Sequence, residues 1–138
     1  MRRALLLLLG TAALAGCPST APGAPVLHGL SPGATTKGHP VLVTVTGENL
    51  FARVRAELDA PSSSLVQLPT LTFVGADREV PAPLLTLRSS RELVLEAPGS
   101  MEPGRWSLRL VDAWGRRAAL EDAFEVLPCA GAADCDDG

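Results

Sequence analysis

Short runs of alternating apolar and polar residues, each cut off within a few positions by proline or glycine, restrict this chain to β architecture. Val41-Leu42-Val43-Thr44-Val45-Thr46 puts Val41, Val43 and Val45 on one face and Thr44 and Thr46 on the other, the period-two pattern of a half-buried strand rich in β-branched residues. Arg53 to Leu58 repeats the alternation, with its charged residues expected outward. Arg105-Trp106-Ser107-Leu108-Arg109-Leu110 directs Trp106, Leu108 and Leu110 inward, and Asp122 to Leu127 directs Phe124 and Val126 inward. Leu71 to Val74, Leu84 to Leu87 and Glu92 to Glu96 are further short apolar runs. Turn signals separate them at Ser31-Pro32-Gly33, Ala60-Pro61-Ser62, Ala97-Pro98-Gly99, Glu102-Pro103-Gly104 and Trp114-Gly115. With 13 Gly and 12 Pro among 138 residues, an apolar stripe at helical spacing does not survive. The expected fold is all-β, an antiparallel β-sandwich of about seven or eight short strands.

The first residues have a different character. Met1-Arg2-Arg3 is a basic start, and Ala4 to Ala15 is an apolar run led by Leu5 to Leu9. The run is shorter than the ~20 residues a membrane span requires, so it reads as a secretory signal peptide. It ends in Leu14, Ala15, Gly16 and Cys17, which resembles a bacterial lipobox. In that motif small residues precede a thiol that takes a diacylglyceryl group and becomes the new N-terminus. A competing reading makes Ala13-Leu14-Ala15 an ordinary small-residue cleavage site and the product soluble. Lipid attachment at Cys17 also resolves the odd number of cysteines, since it leaves Cys129 and Cys135 as a possible disulfide in an oxidising compartment. Two acyl chains anchor a protein stably where one does not.

The organisation that follows is a signal peptide over 1–16, a Pro-rich tether over 17–24, a sandwich over 25–127 and an acidic Cys-containing tail over 128–138. Three prolines, Pro18, Pro22 and Pro25, make the tether extended. Pro18 follows Cys17 where enteric inner-membrane lipoproteins carry Asp, so the outer membrane is the expected location. With 12 Lys+Arg against 15 Asp+Glu, the chain lacks the basic footprint of a nucleic-acid binder.

From Pro25 onward the chain resembles the IPT/TIG family. The resemblance rests on Pro25-Val26-Leu27-His28-Gly29-Leu30-Ser31-Pro32 followed by Val43-Thr44-Val45-Thr46-Gly47-Glu48-Asn49-Leu50. Its closing half lies in Leu93 to Pro98, Pro103 to Leu108, Gly115 and Phe124. Gly38-His39 replaces the family's Gly-Gly turn, Leu50 stands where Phe is common, and Trp106 takes the usual Tyr position. Residues 51–69 lengthen the interval before Leu71-Thr72-Phe73-Val74-Gly75, which looks like the third-strand signature. The resemblance implies an immunoglobulin-like sandwich that binds or spaces other molecules.

Residues able to carry chemistry are few. His28 and His39 are the two imidazoles, and both read as solvated surface groups. Ser62 to Ser64 reads as a loop, and no Ser or Cys nucleophile stands in a recognisable motif, so no enzyme is expected. Asp134, Asp136 and Asp137 form a solvated acidic tail lacking the spaced ligand set of a Ca²⁺ loop. Two cysteines fall short of a structural zinc site, so neither a metal nor a cofactor is expected. The arginines at 53, 55, 88, 91, 105, 109, 116 and 117 alternate with acids and read as the solvated face of a sheet. Trp114, at the tip of the last hairpin, is the possible ligand contact. The leading expectation is a non-catalytic envelope lipoprotein whose sandwich meets an envelope protein. The alternative is a carbohydrate-binding surface module that contacts glycan through Trp114.

Overall fold

The computed structural model describes residues 22–56, 59 and 64–131. Among them lie eleven strands, β1 (Val26–Ser31), β2 (Ala34–Thr36), β3 (Val41–Glu48), β4 (Arg53–Arg55), β5 (Leu65–Gln67), β6 (Thr70–Val74), β7 (Glu79–Ala82), β8 (Leu84–Ser89), β9 (Glu92–Ala97), β10 (Gly104–Val111) and β11 (Arg117–Leu127). One sheet has the order β1-β3-β9-β8 and the facing sheet β2-β11-β10-β6-β7, while β4 and β5 pair only with each other. This is an immunoglobulin-like β-sandwich. It carries more strands than the sequence pattern separates, and one pair, β2 with β11, is parallel.

Alternation decides which side chains fill the space between the sheets. Val43 and Val45 of β3, and Leu93 and Leu95 of β9, are fully buried from one side. Phe73 of β6, Leu108 and Leu110 of β10, and Phe124 and Val126 of β11 meet them from the other. The rings of Phe73 and Phe124 stand 5.1 Å apart, tilted by 41°, a geometry that suits aromatic quadrupoles better than a flat stack. Trp106 is buried as expected, and its Nε1–H donates to the Glu102 carbonyl at 3.0 Å, so the indole enters the core without an orphaned donor.

The chain changes sheets at local devices. β1 and β2 lie in different sheets and are joined across a cis Ser31–Pro32 peptide. β7 runs into β8 across Pro83, whose carbonyl accepts from the Glu96 N–H at 3.0 Å. Gly47 permits β1 to lie against β3, because a Cβ there would stand 2.2 Å from the Val26 carbonyl oxygen. A register shift between Trp106 and Leu108 gives β11 two extra residues around Asp122, whose φ is 47°. The Ser107 hydroxyl fastens this bulge, accepting from the Asp122 N–H at 3.0 Å and donating to Glu121 at 2.9 Å.

The 51–69 region departs from expectation in orientation. Val54, expected to face inward between outward arginines, is 62% exposed, whereas Arg53 is half-buried. β4 and β5 form a ribbon outside both sheets, so alternation still sorts the side chains into two faces but does not make the apolar one the inner one. Glu57 and Leu58 lie outside the described residues.

Candidate functional site

The β10–β11 hairpin turns over Asp112-Ala113-Trp114-Gly115-Arg116. Aspartate is favoured at the start of such a turn because its carboxylate reaches the backbone N–H groups ahead of it. Asp112 Oδ1 accepts from the N–H of Trp114 at 2.9 Å and of Arg116 at 2.8 Å. Gly115, at φ 79°, supplies the left-handed residue that lets the strand return. Oδ2 accepts from Arg116 Nε at 2.7 Å, and the Asp112 side chain is only 2% exposed. Burial alone would push this carboxyl upward. The Arg116 N–H and guanidinium, the Trp114 N–H and the positive charge of Arg116 outweigh it, and the group is held below the usual carboxylate range.

Arg116 therefore does not belong to a solvated sheet face. Its Nη1 donates to the Pro22 carbonyl, and its guanidinium stands 5.2 Å from the centre of the Trp114 ring. Arg53 of β4 stands over the same ring at 5.9 Å. Nearby, Asn49 Nδ2 donates to the Ala24 carbonyl at 2.9 Å, and Asn49 itself has φ 57°, a conformation that Asn tolerates. The segment at Pro22, the hairpin tip and the ribbon are thus joined through Pro22, Arg116, Trp114 and Arg53.

Trp114 is half-buried, so the structure places the expected contact residue at the hairpin tip, as the sequence indicates, but under two guanidinium groups. Asp112, two residues before the Trp114-Gly115 turn signal, carries no mark of burial in the sequence, and only the structure shows it buried. Trp114→Ala removes both cation–π contacts, worth about 0.5–1 kcal/mol each at a partly exposed site. The expected result is faster amide exchange in β4 and β5 by roughly ten-fold, with the global unfolding midpoint little changed.

Cys17, Leu14, Ala15, Gly16 and Cys135 fall outside the described residues, as do Asp134, Asp136 and Asp137. Cys129 is half-buried just beyond β11, with Sγ 3.6 Å from the Lys37 carbonyl oxygen. His28 lies on β1, 3.4 Å from Glu48, and His39 is exposed beyond Gly38. Among the described residues no group of three or more His, Cys, Asp or Glu is placed to hold a metal ion. Arg109–Glu79 at 2.6 Å and Lys37–Glu102 at 3.0 Å are exposed pairs. The hydrogen bonds from Arg109 and Lys37 hold the two carboxyls below their ordinary range, but solvated pairs of this kind add little stability. A cleft of about 290 Å³ opens between β6 and the β7–β8 corner, lined by Pro69, Leu71, Pro81, Ala82, Pro83 and Leu84 with their threonine neighbours, and no charged side chain enters it. Compared with known proteins, the chain matches no family model and no curated sequence.

Proposed function

We propose that the protein is a non-catalytic envelope lipoprotein, anchored through a diacylglyceryl group on Cys17 and displaying one IPT/TIG-like sandwich for interaction or scaffolding. The observation that carries the reading is Leu14-Ala15-Gly16-Cys17 directly behind a basic start and an apolar run. Asn49 and Arg116 support it, because they clasp the backbone at Ala24 and Pro22 and orient the sandwich on its tether. The outer membrane is the proposed location, with an envelope protein as partner. A Cys129–Cys135 disulfide belongs to the same proposal, since an exported chain whose first cysteine is acylated retains one pair. The two guanidinium groups over Trp114 weigh against a glycan platform, which needs a bare indole face.

Metabolic labelling with an alkyne fatty acid, followed by membrane fractionation, tests the anchor. Wild type is expected to carry label in the membrane fraction, and Cys17→Ala to lose label and leave that fraction almost completely. A mature protein that begins upstream of residue 17 without fatty acid would overturn the reading. Partner capture by mild crosslinking tests the display role, which fails if no envelope protein is recovered.

A further inference from the structure

The two ends of the sandwich differ in what they expose. At one end the start of β1 meets the end of β3, with Val26 opposite Glu48, and Val111 at the hairpin base lies opposite Thr70. The β8–β9 turn joins them, because the Leu50 N–H donates to the Ser90 carbonyl at 2.9 Å. The tether leaves from this end, held by Arg116 and Asn49. The C-terminal segment leaves from the other, where Leu127 lies opposite Thr36.

The β4–β5 ribbon projects at the tether end. Val54 and Val66 are directly opposite each other and therefore share a face, at 62% and 56% exposure. Leu68 is exposed two positions beyond Val66, whereas Leu65, opposite Arg55, is exposed on the other face. The other face carries Arg53 opposite Gln67 and turns toward Trp114. The ribbon thus turns Arg53 toward Trp114 and presents the Val54–Val66 pair on its opposite face, an arrangement that suits an interaction surface. Arg55, Arg91 and Arg117 are exposed at the same end, while Glu48 and Glu92 are engaged by His28 and Arg88; Asp59 is exposed on the loop beyond β4.

We infer that this end of the domain rests on the bilayer, with the β4–β5 ribbon placing Val54, Val66 and the adjacent Leu68 in the headgroup layer as a second, non-covalent contact. The inference rests on acylation at Cys17. Four residues separate Cys17 from Pro22, five Cα–Cα steps that span at most about 17 Å when fully extended, against a headgroup layer about 5–8 Å thick. An acylated Cys17 therefore keeps the ribbon close to the surface, where a weak contact becomes intramolecular. Exposed arginines match anionic headgroups, and the apolar face matches the layer beneath them.

The processed lipoprotein, floated in vesicles of phosphatidylethanolamine and phosphatidylglycerol, tests this with one added tryptophan at either of two sites, its emission taken as the difference from wild type, whose Trp106 and Trp114 are common to both variants. Val66→Trp places a reporter on the ribbon; Leu42→Trp places one on the exposed face of β3, opposite Glu96 and toward the far end. Apolar faces at the interface sit about 5–10 Å into the headgroup–acyl boundary, so brominated acyl chains should quench the added Val66→Trp emission by about half. The Leu42→Trp reporter should be unaffected, and adding Val54→Asp should relieve the quenching at position 66. Equal quenching at both sites, or none at Val66→Trp in floated protein, overturns the inference and leaves the anchor intact. A Val66→Trp emission that instead shifts with protein concentration assigns the ribbon to a second copy and also overturns it. Protein that fails to float indicts acylation.

Discussion

Asp112→Ala is expected to destabilise the domain by about 3 kcal/mol at neutral pH, because removing one partner of a buried ion pair strands the other. Three donors lose their acceptor at once, the N–H groups of Trp114 and Arg116 and the Arg116 guanidinium. Arg116 keeps 27% exposure, so water recovers part of the loss and the value falls at the low end of the range for buried pairs. In a domain of this size the unfolding midpoint should fall by on the order of 10 °C. Asp112→Asn keeps an oxygen for the two N–H groups but gives up the charge, and should lie between wild type and alanine.

The same carboxylate gives the loss a pH signature. A depressed native pKa contributes stability that is fully present above the unfolded-state value of about 3.9, and that is lost as pH falls through the native value. The gap between wild type and Asp112→Ala should therefore narrow below about pH 4. Denaturant melts at pH 7 and pH 3 check it. A gap that does not change between them, or that is below about 1 kcal/mol at pH 7, would show that the clamp does not hold the hairpin.

How far the sequence discloses this fold depends on what each strand packs against. Val43 and Val45, Trp106 with Leu108 and Leu110, and Phe124 with Val126 lie where alternation puts them, because each strand has the sandwich core on one side and solvent on the other. The central strand β9 buries Leu93, Val94 and Leu95 in succession and reads as a plain apolar run. The edges are harder to see. β2 is Ala-Thr-Thr and β7 is Glu-Val-Pro-Ala, too short and too polar to show a period, and Pro81 is tolerated because β7 has a partner on one side only. β11 begins at Arg117, before the apolar signal at Phe124, since its first half covers the core with Ala118 and Leu120. The clamp was legible only as a turn. Asp112 announces a hairpin start, but its partner Arg116 is itself held by the Pro22 carbonyl, a contact between residues ninety-four positions apart.

Phe124→Ala should cost about 3–5 kcal/mol, the usual loss when a fully buried ring is truncated and its cavity cannot collapse. Phe124 is 1% exposed, lies opposite Trp106 across the β10–β11 ladder and touches the Phe73 ring. The bulge at Asp122 fixes the backbone just before it, through the Ser107 hydroxyl, which limits how far β11 can shift inward to close the gap. Phe124→Leu fills most of that volume and should cost about 1 kcal/mol. Because the two rings share one contact, Phe73→Ala and Phe124→Ala should combine non-additively, with a coupling of about 0.5–1.5 kcal/mol. Both rings belong to a cluster of buried apolar side chains, so the loss should be the same at pH 7 and pH 3, unlike that of Asp112→Ala. Phe124→Ala and Asp112→Ala share no partner and should add within about 0.5 kcal/mol. A Phe124→Ala loss below about 1 kcal/mol would mean that the sheets close over the missing ring, and that the core holds its register by backbone pairing alone.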